Sequence, residues 1–466
     1  MSEDDWIKFT ELENIADINS FSDSYRKGEL EFESIQHEIS FLYNMGSYYS
    51  KQYDTHNPSD VVFRKDDKYY LGTYYYLKGI KLYEDNKVVL ETDQDFIFEV
   101  IRRLFVNIGN EYSNQFRSID ALSYYRKALE IDDCFDMAIG NFALGIEHHN
   151  PLIGLGEDIY CMVFNLLYEL YLDIHLENLD NGQELFKSKK IQYIRQQQAY
   201  FDTITKGKDA NYDAYAFFNE VDYFTDSYED WCIKNTLYLN FVNDLGNYEE
   251  AKFDINIQKL KDDLELTDER FHSLKNLFDV FILQRKKLFA CRNIENDEMV
   301  HELAQVFQCL YSYFDRVAFF IYRYFKLTGK ERAVNINSVW AMKDEDGNIL
   351  TEYRNQHLYN IYWLRKEYRE SKSDSFNINE LLSPDAQDYA DIRNTLEHKE
   401  FSFSEIKGLT FLNPELLYSK TLKMATVVRN MILSLIPMIN IERSLIDPTT
   451  KKRNLDLVFF IFEGFK

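Results

Sequence analysis

The chain is short of residues that break regular structure. Its 466 residues include only 16 glycines and 6 prolines. A β-sandwich or barrel of this length would need a Gly- or Pro-bearing turn every ten residues or so, which excludes an all-β architecture and predicts an all-α one. Cysteine is scarce too. Cys134, Cys161, Cys232, Cys291 and Cys309 form no C-x-x-C pair and no Cys/His cluster at metal-ligand spacing, so they read as small apolar side chains in a reducing compartment. The most apolar stretches, around 317–325, 427–439 and 457–462, read as too short or too interrupted to span a bilayer. Met1–Trp6 is acidic where an export signal would be basic. These features predict a cytoplasmic protein without membrane contact. The chain also lacks a Gly-rich phosphate loop, a serine elbow and a metal-spaced cluster, so neither cofactor nor metal is expected, and a small-molecule enzyme has no support.

Positive charge is the remaining deficit. Lys and Arg number 53 against 78 Asp and Glu, a net charge of −25. Taken whole, that is the wrong sign for a protein that holds nucleic acid by bulk electrostatics. The deficit is uneven, however. Residues 1–290 carry 30 basic and 53 acidic side chains, whereas 291–466 carry 23 and 25. The asymmetry predicts two domains, 1–290 and 291–466, with different partners, and it removes the objection to nucleic acid from the second.

What the sequence has in quantity is aromatic residues, with 36 Phe and 35 Tyr. Runs such as Tyr48-Tyr49, Tyr74-Tyr75-Tyr76 and Phe217-Phe218 suit knobs between stacked helices. Within Leu104–Asp133, Phe105, Ile108, Gly109 and Tyr112 are followed by Ala121, Tyr125, Ala128 and Leu129. Small residues fall where two helices would touch, and 114–118 supplies the turn. This pattern resembles the tetratricopeptide (TPR) helix-turn-helix unit, with weaker echoes at Gly46 and Gly72. The resemblance implies a TPR-like stack over 1–290, with helices at 138–147, 157–176, 192–205, 230–245 and 267–288. An acidic groove in it would suit a basic peptide or protein partner. His148-His149 reads as a solvated helix end, because adjacent helical residues point about 100° apart and cannot ligate one metal from one face.

Beyond residue 290 the apolar stretches lengthen. A helix is expected over 298–326, a small β-hairpin insertion around Asp346-Gly347-Asn348 within 334–353, and a helix over 356–369. Ser383-Pro384-Asp385 and Asn413-Pro414-Glu415 both carry helix-start signals. After the first of them, Tyr389, Ile392 and Leu396 recur at i, i+3, i+7 as a buried stripe, and Asn394 and His398 fall at i, i+4 on the opposite face. Arg393 stands on the flank, five residues before His398 and so about 140° from it on a straight helix. The two converge only if the Arg side chain wraps back or a second copy of the helix packs against the exposed face.

Arg393-Asn394-x-x-x-His398 in a C-terminal bundle resembles the HEPN superfamily, many of whose members are metal-independent endoribonucleases. The resemblance covers roughly 295–440. It implies a catalytic set of Arg393, Asn394 and His398 at a homodimer interface, RNA as substrate, and a toxin or phage-defence role. Asp315 and Glu397 are candidate supporting residues. His398 would move the proton of an RNA 2′-hydroxyl or of the leaving 5′-oxygen, and Arg393 would hold the scissile phosphate. Attack by the substrate's own hydroxyl leaves a 2′,3′-cyclic phosphate. The alternative is a non-enzymatic TPR-type scaffold whose C-terminal bundle only dimerises. Lys451-Lys452-Arg453 reads as a solvated loop or an RNA-backbone contact. Arg354-Asn355 and Arg429-Asn430 lack a histidine at the required spacing.

Overall fold

The computed structural model describes residues 15–52, 71–149, 167, 227–245, 249–294, 296–350, 353, 355–368, 383–404, 407 and 409–445, and these are mostly helical. Numbering helices of seven residues or more, the first group is α1 (Ile15–Arg26), α2 (Ile35–Gln52), α3 (Leu71–Asp85), α4 (Arg102–Asn114), α5 (Ser118–Ile131) and α6 (Asp136–His149). Glycine decides how they pair. A Cβ on Gly46 of α2 would lie 2.4 Å from Tyr76 Cε1 of α3, and one on Gly109 of α4 would lie 2.4 Å from Tyr125 Cε1 of α5. In both hairpins an aromatic ring of the second helix therefore rests on bare backbone of the first, an approach no other residue permits without displacement. Gly46 and Gly72 lie on two helices packed against each other, Gly72 in the first turn of α3 facing Ser50 of α2. The α4–α5 turn closes as the sequence indicates, with Phe116 in the left-handed region (φ 60°) and Arg117 N–H donating to Tyr112 O at 2.8 Å. The Tyr74–Tyr76 run packs between these helices, Tyr75 stacking on Tyr49 at 5.8 Å.

The second group is α7 (Tyr228–Lys234), α8 (Ile257–Asp263), α9 (Asp268–Ala290), α10 (Asp297–Tyr311), α11 (Tyr313–Tyr324), α12 (Gln356–Tyr368), α13 (Ala386–His398) and α14 (Pro414–Leu445). Three starts are capped as their sequences require. Thr267 accepts from Arg270 N–H, Asn296 from Met299 N–H, and Asn413 from the N–H groups of Glu415 and Leu416. Two expectations change. The helix expected over 298–326 is two helices, divided at Ser312, whose hydroxyl donates to Cys309 O at 2.6 Å and competes with the helical ladder. The helix expected over 230–245 ends at Lys234, where Thr236 adopts φ 52° and the chain turns into a short 3-10 segment at Phe241–Asp244.

The small β insertion is present as one antiparallel pairing, in which Leu350 N–H donates to Met342 O and Asp344 N–H to Asn348 O, and a two-stranded sheet lies elsewhere. Around Asp344–Asn348 a tight turn is held by Asp344 Oδ1, which accepts from the N–H groups of Asp346 and Asn348, and a single bridge joins Lys343 to Ile349. Residues 339–341 form a 3-10 turn rather than a strand. The one two-stranded sheet among the described residues follows α13, with β1 (Phe401–Ser402) parallel to β2 (Thr410–Phe411). Apart from Leu167, the expected helices at 157–176 and 192–205, the basic run 451–453 and the apolar segment 457–462 lie outside the described residues.

Helix α14 is the axis of the second group, with α9, α10, α11 and α12 packed on it. By length and composition its stretch 414–443 could cross a membrane, longer than the sequence reading allowed, but 83% of the 18-residue apolar window within it is buried inside the protein. One apolar core includes residues from α2 to α14 on both sides of residue 290, and α9 packs on α10. Within the second group, Arg429 of α14 is fully buried and bidentate to Asp244 at 2.8 Å, its Nε donating to Tyr238 O. Buried polar groups also tie the two groups, Asn430 of α14 donating to Asp120 of α5. Arg117 of α5's N-cap position pairs with Glu367 of α12 at 2.7 Å, and Tyr112 donates to the same carboxylate. Arg429-Asn430 is thus a structural pair, as its sequence context indicated. Replacing Arg429 by Met would strand the buried Asp244 carboxylate and should cost about 3–5 kcal/mol of unfolding free energy. Denaturant titration measures this, and a loss under about 1 kcal/mol would contradict the assigned role.

Candidate active site

Helix α13 takes its orientation from its apolar spacing. Tyr389, Ile392 and Thr395 are buried, and Leu396 packs half-buried on the core. Arg393 and Asn394 are half-buried at the margin, and Asp391, Glu397 and His398 are exposed. The Tyr389 ring stacks on Phe307 of α10 with centroids 6.4 Å apart, fixing the helix against α10. Its polar side is left to carry the candidate residues.

The chemistry gathers on the last turn. Arg393 Nη2 lies 2.8 Å from Glu397 Oε2, and His398 Nε2 lies 3.6 Å from the same oxygen. The separation of about 140° between Arg393 and His398 is therefore bridged within one chain, because the long Arg side chain wraps back toward Glu397. The Arg393 guanidinium also stands 5.9 Å from the Tyr311 ring at the end of α10, within cation–π range. His398 is the last residue of α13, 67% exposed, and can approach a large ligand without moving protein. Guanidinium and imidazole toward the end of one helix can bind a phosphate and exchange a proton beside it, and the Glu397 carboxylate pairs with the guanidinium.

The other sequence candidates are placed as follows. Asn394 follows Arg393 at the half-buried margin of α13. Asp315 belongs to a different element, the first turn of α11, where its Oδ1 accepts Ile336 N–H at 3.0 Å and holds the 335–339 turn. His357 is buried at the start of α12, next to Asn355, which caps that helix and donates to Met438 O and Glu442. The helix α6 ends at His149, at the expected pair. Among the described residues no group of three or more His, Cys, Asp or Glu side chains is placed to hold a metal ion.

Sequence reasoning missed what anchors α13 at its other end. Ser383-Pro384-Asp385 does start the helix, but Asp385 stands at the N-cap position and makes no capping bond with its side chain. Its buried carboxylate instead receives three ammonium groups. Lys420 Nζ lies 2.6 Å and Lys81 Nζ 2.9 Å from Oδ1, and Lys423 reaches Oδ2. Lys420 and Lys81 also pair with Asp388, at 2.6 and 3.1 Å. Lys420 and Lys423 come from α14, Lys81 from α3. A signal was present: Lys420 and Lys423 sit on an apolar helix with no carboxylate three or four residues away, so their partners had to come from another element.

Burial alone would raise the Asp385 carboxyl, but the charges of Lys423 and Lys420 outweigh it and hold the group well below the usual carboxylate range. Asp388 is lowered in the same way, burial being outweighed by Lys420 and then Lys81. A carboxyl depressed in the folded state adds stability that is fully present above its unfolded value of about 4 and is lost as pH falls through the lower folded value. Asp385→Asn should therefore lower unfolding free energy by about 3 kcal/mol near neutral pH, with the deficit shrinking as pH falls below about 4. Denaturant titrations of both proteins across that range measure it, and a deficit that stays constant into acid would contradict the clamp.

Residues 276–442, from within α9 to near the end of α14, match the family described as LA2681-like HEPN. No curated protein and no solved structure matches the chain. The matched segment contains α10 to α13 whole, and it supports a HEPN domain in the C-terminal part of the chain.

Proposed function

We propose that this protein is a metal-independent endoribonuclease of HEPN type, acting as a homodimer in which two α13 helices face each other. The observation that carries this reading is the convergence of Arg393 and His398 on Glu397 Oε2 at the exposed end of a helix whose other face is buried. The similarity of residues 276–442 to HEPN domains supports it. Arg393 binds the scissile phosphate and offsets charge on its equatorial oxygens, while Asn394 orients the phosphate or ribose. His398 takes the 2′-hydroxyl proton as the 2′-oxygen attacks phosphorus. The 5′-oxygen leaves and is protonated, by His398 of the same or the second copy, giving a 2′,3′-cyclic phosphate and a 5′-hydroxyl. The helical hairpins of the N-terminal part serve as a TPR-like sensor for a protein or peptide, in a toxin or phage-defence role.

A second reading has one observation in its favour. Arg393 and Glu397 form the i, i+4 pair that an ordinary solvated helix also makes, which suits a scaffold whose bundle only dimerises. Incubation of purified protein with total RNA in EDTA separates the two. The ribonuclease should cleave, and His398→Ala or Arg393→Ala should slow cleavage by about 10²–10⁴-fold with melting unchanged. Cleavage undiminished in both variants would overturn the site.

A further inference from the structure

The clamp on Asp385 joins parts of the chain some 300 residues apart, and its geometry bears on the site at the far end of the same helix. Two of its lysines, Lys420 and Lys423, belong to α14, which packs with α13's own bundle. Lys81 alone crosses from the N-terminal hairpins, bonding both Asp385 and Asp388. It is not an isolated reach. One turn along α3, Glu84 lies 3.4 Å from Lys127 of α5 and 3.8 Å from Lys423 of α14, so two helices of the first hairpins enter the same network. The array also grips the helix preceding α13 in the chain, through Arg117 and Tyr112 on Glu367 of α12. Both helices flanking residues 369–382 are thus held by the N-terminal array.

We infer that Lys81 is a positioning residue for the Arg393/Asn394/His398 site, through which the N-terminal hairpins set the angle of α13. The lever is geometric. His398 lies ten residues beyond Asp388, about 15 Å along the helix. A pivot of about 4° at the clamped end moves the exposed end by about 1 Å, a displacement that can cost on the order of 100-fold in rate. The middle of α13 is held by Tyr389, Ile392 and Thr395, whereas Glu397 and His398 at its end are exposed, so the angle set at the first turn carries through to where Arg393 and His398 point. Anything that bends the hairpins on binding a partner acts on the site through this lysine. The catalytic consequence rests on the ribonuclease reading; the mechanical one does not.

The test is amide hydrogen exchange of the full chain, alongside RNA cleavage, for wild type, Lys81→Met and Lys81→Arg. Met keeps the aliphatic stem and removes the charge, and Arg keeps the charge. Exchange along 386–398 should rise about tenfold in Lys81→Met, with α9 unchanged as a check on folding, and return toward wild type in Lys81→Arg. In the cleavage assay kcat should fall about 10–100-fold in Lys81→Met with KM nearly constant, as expected when geometry and not substrate binding is lost. Exchange of α13 that is unchanged in Lys81→Met would overturn the inference. Because exchange is read whether or not RNA is cut, a wild-type protein without ribonuclease activity would count against the proposed function and not against this placement.

Discussion

The structure turns on one carboxylate. Asp385 is buried at the start of α13, where desolvation opposes its charge, and it survives as an anion because Lys81, Lys420 and Lys423 converge on it. Remove that convergence and a thirteen-residue helix is left with the buried faces of Ala386, Tyr389, Ala390, Ile392 and Thr395 and part of Leu396. Helices of that length are marginal alone in water, so tertiary anchors decide whether and where α13 forms. The lysines come from two elements that are otherwise distant in the chain, which makes the helix a dependent of both the array and the bundle.

The charge distribution bears on how an acidic chain would carry the proposed phosphate-directed site. The charge of −25 is concentrated before residue 290, and the C-terminal 176 residues are close to neutral. Several of the C-terminal cations are spent inside the protein, Arg429 on Asp244 and Lys420 and Lys423 on Asp385. What remains near the candidate site is local: Arg393 at the margin of α13, His398 at its tip and Lys399 beside it. Recognition of RNA by such a site would depend on positioned hydrogen bonds rather than on a broad positive surface.

Much of the fold was legible because short-range rules governed it. The Gly109–Tyr125 contact, the Phe116–Arg117 turn, the Asn413 cap and the α13 stripe all follow from spacing within one or two helices. The failures have equally specific causes. Ser312 breaks a helix through a side-chain bond to Cys309 O that composition does not announce, and Thr236 ends α7 by a backbone conformation a threonine rarely adopts. Around 334–342, β-prone residues form 3-10 turns because Asp315 and Ser338 bind the backbone there. The candidate site divided in the same way. Arg393, Asn394, Glu397 and His398 were readable as a pattern on one helix, while Lys81, which is 304 residues from Asp385, was not, since ion pairs between distant segments leave no periodic trace.

The central claim is that Arg393 and His398 direct attack by an RNA's own 2′-hydroxyl, and the chemistry of the cut ends tests it most directly. Fragments produced by the purified protein from a defined RNA should carry 2′,3′-cyclic phosphate at the new 3′ end and hydroxyl at the new 5′ end. Ends bearing 3′-hydroxyl and 5′-phosphate would mean that water, not the ribose, attacked phosphorus, and would contradict the account.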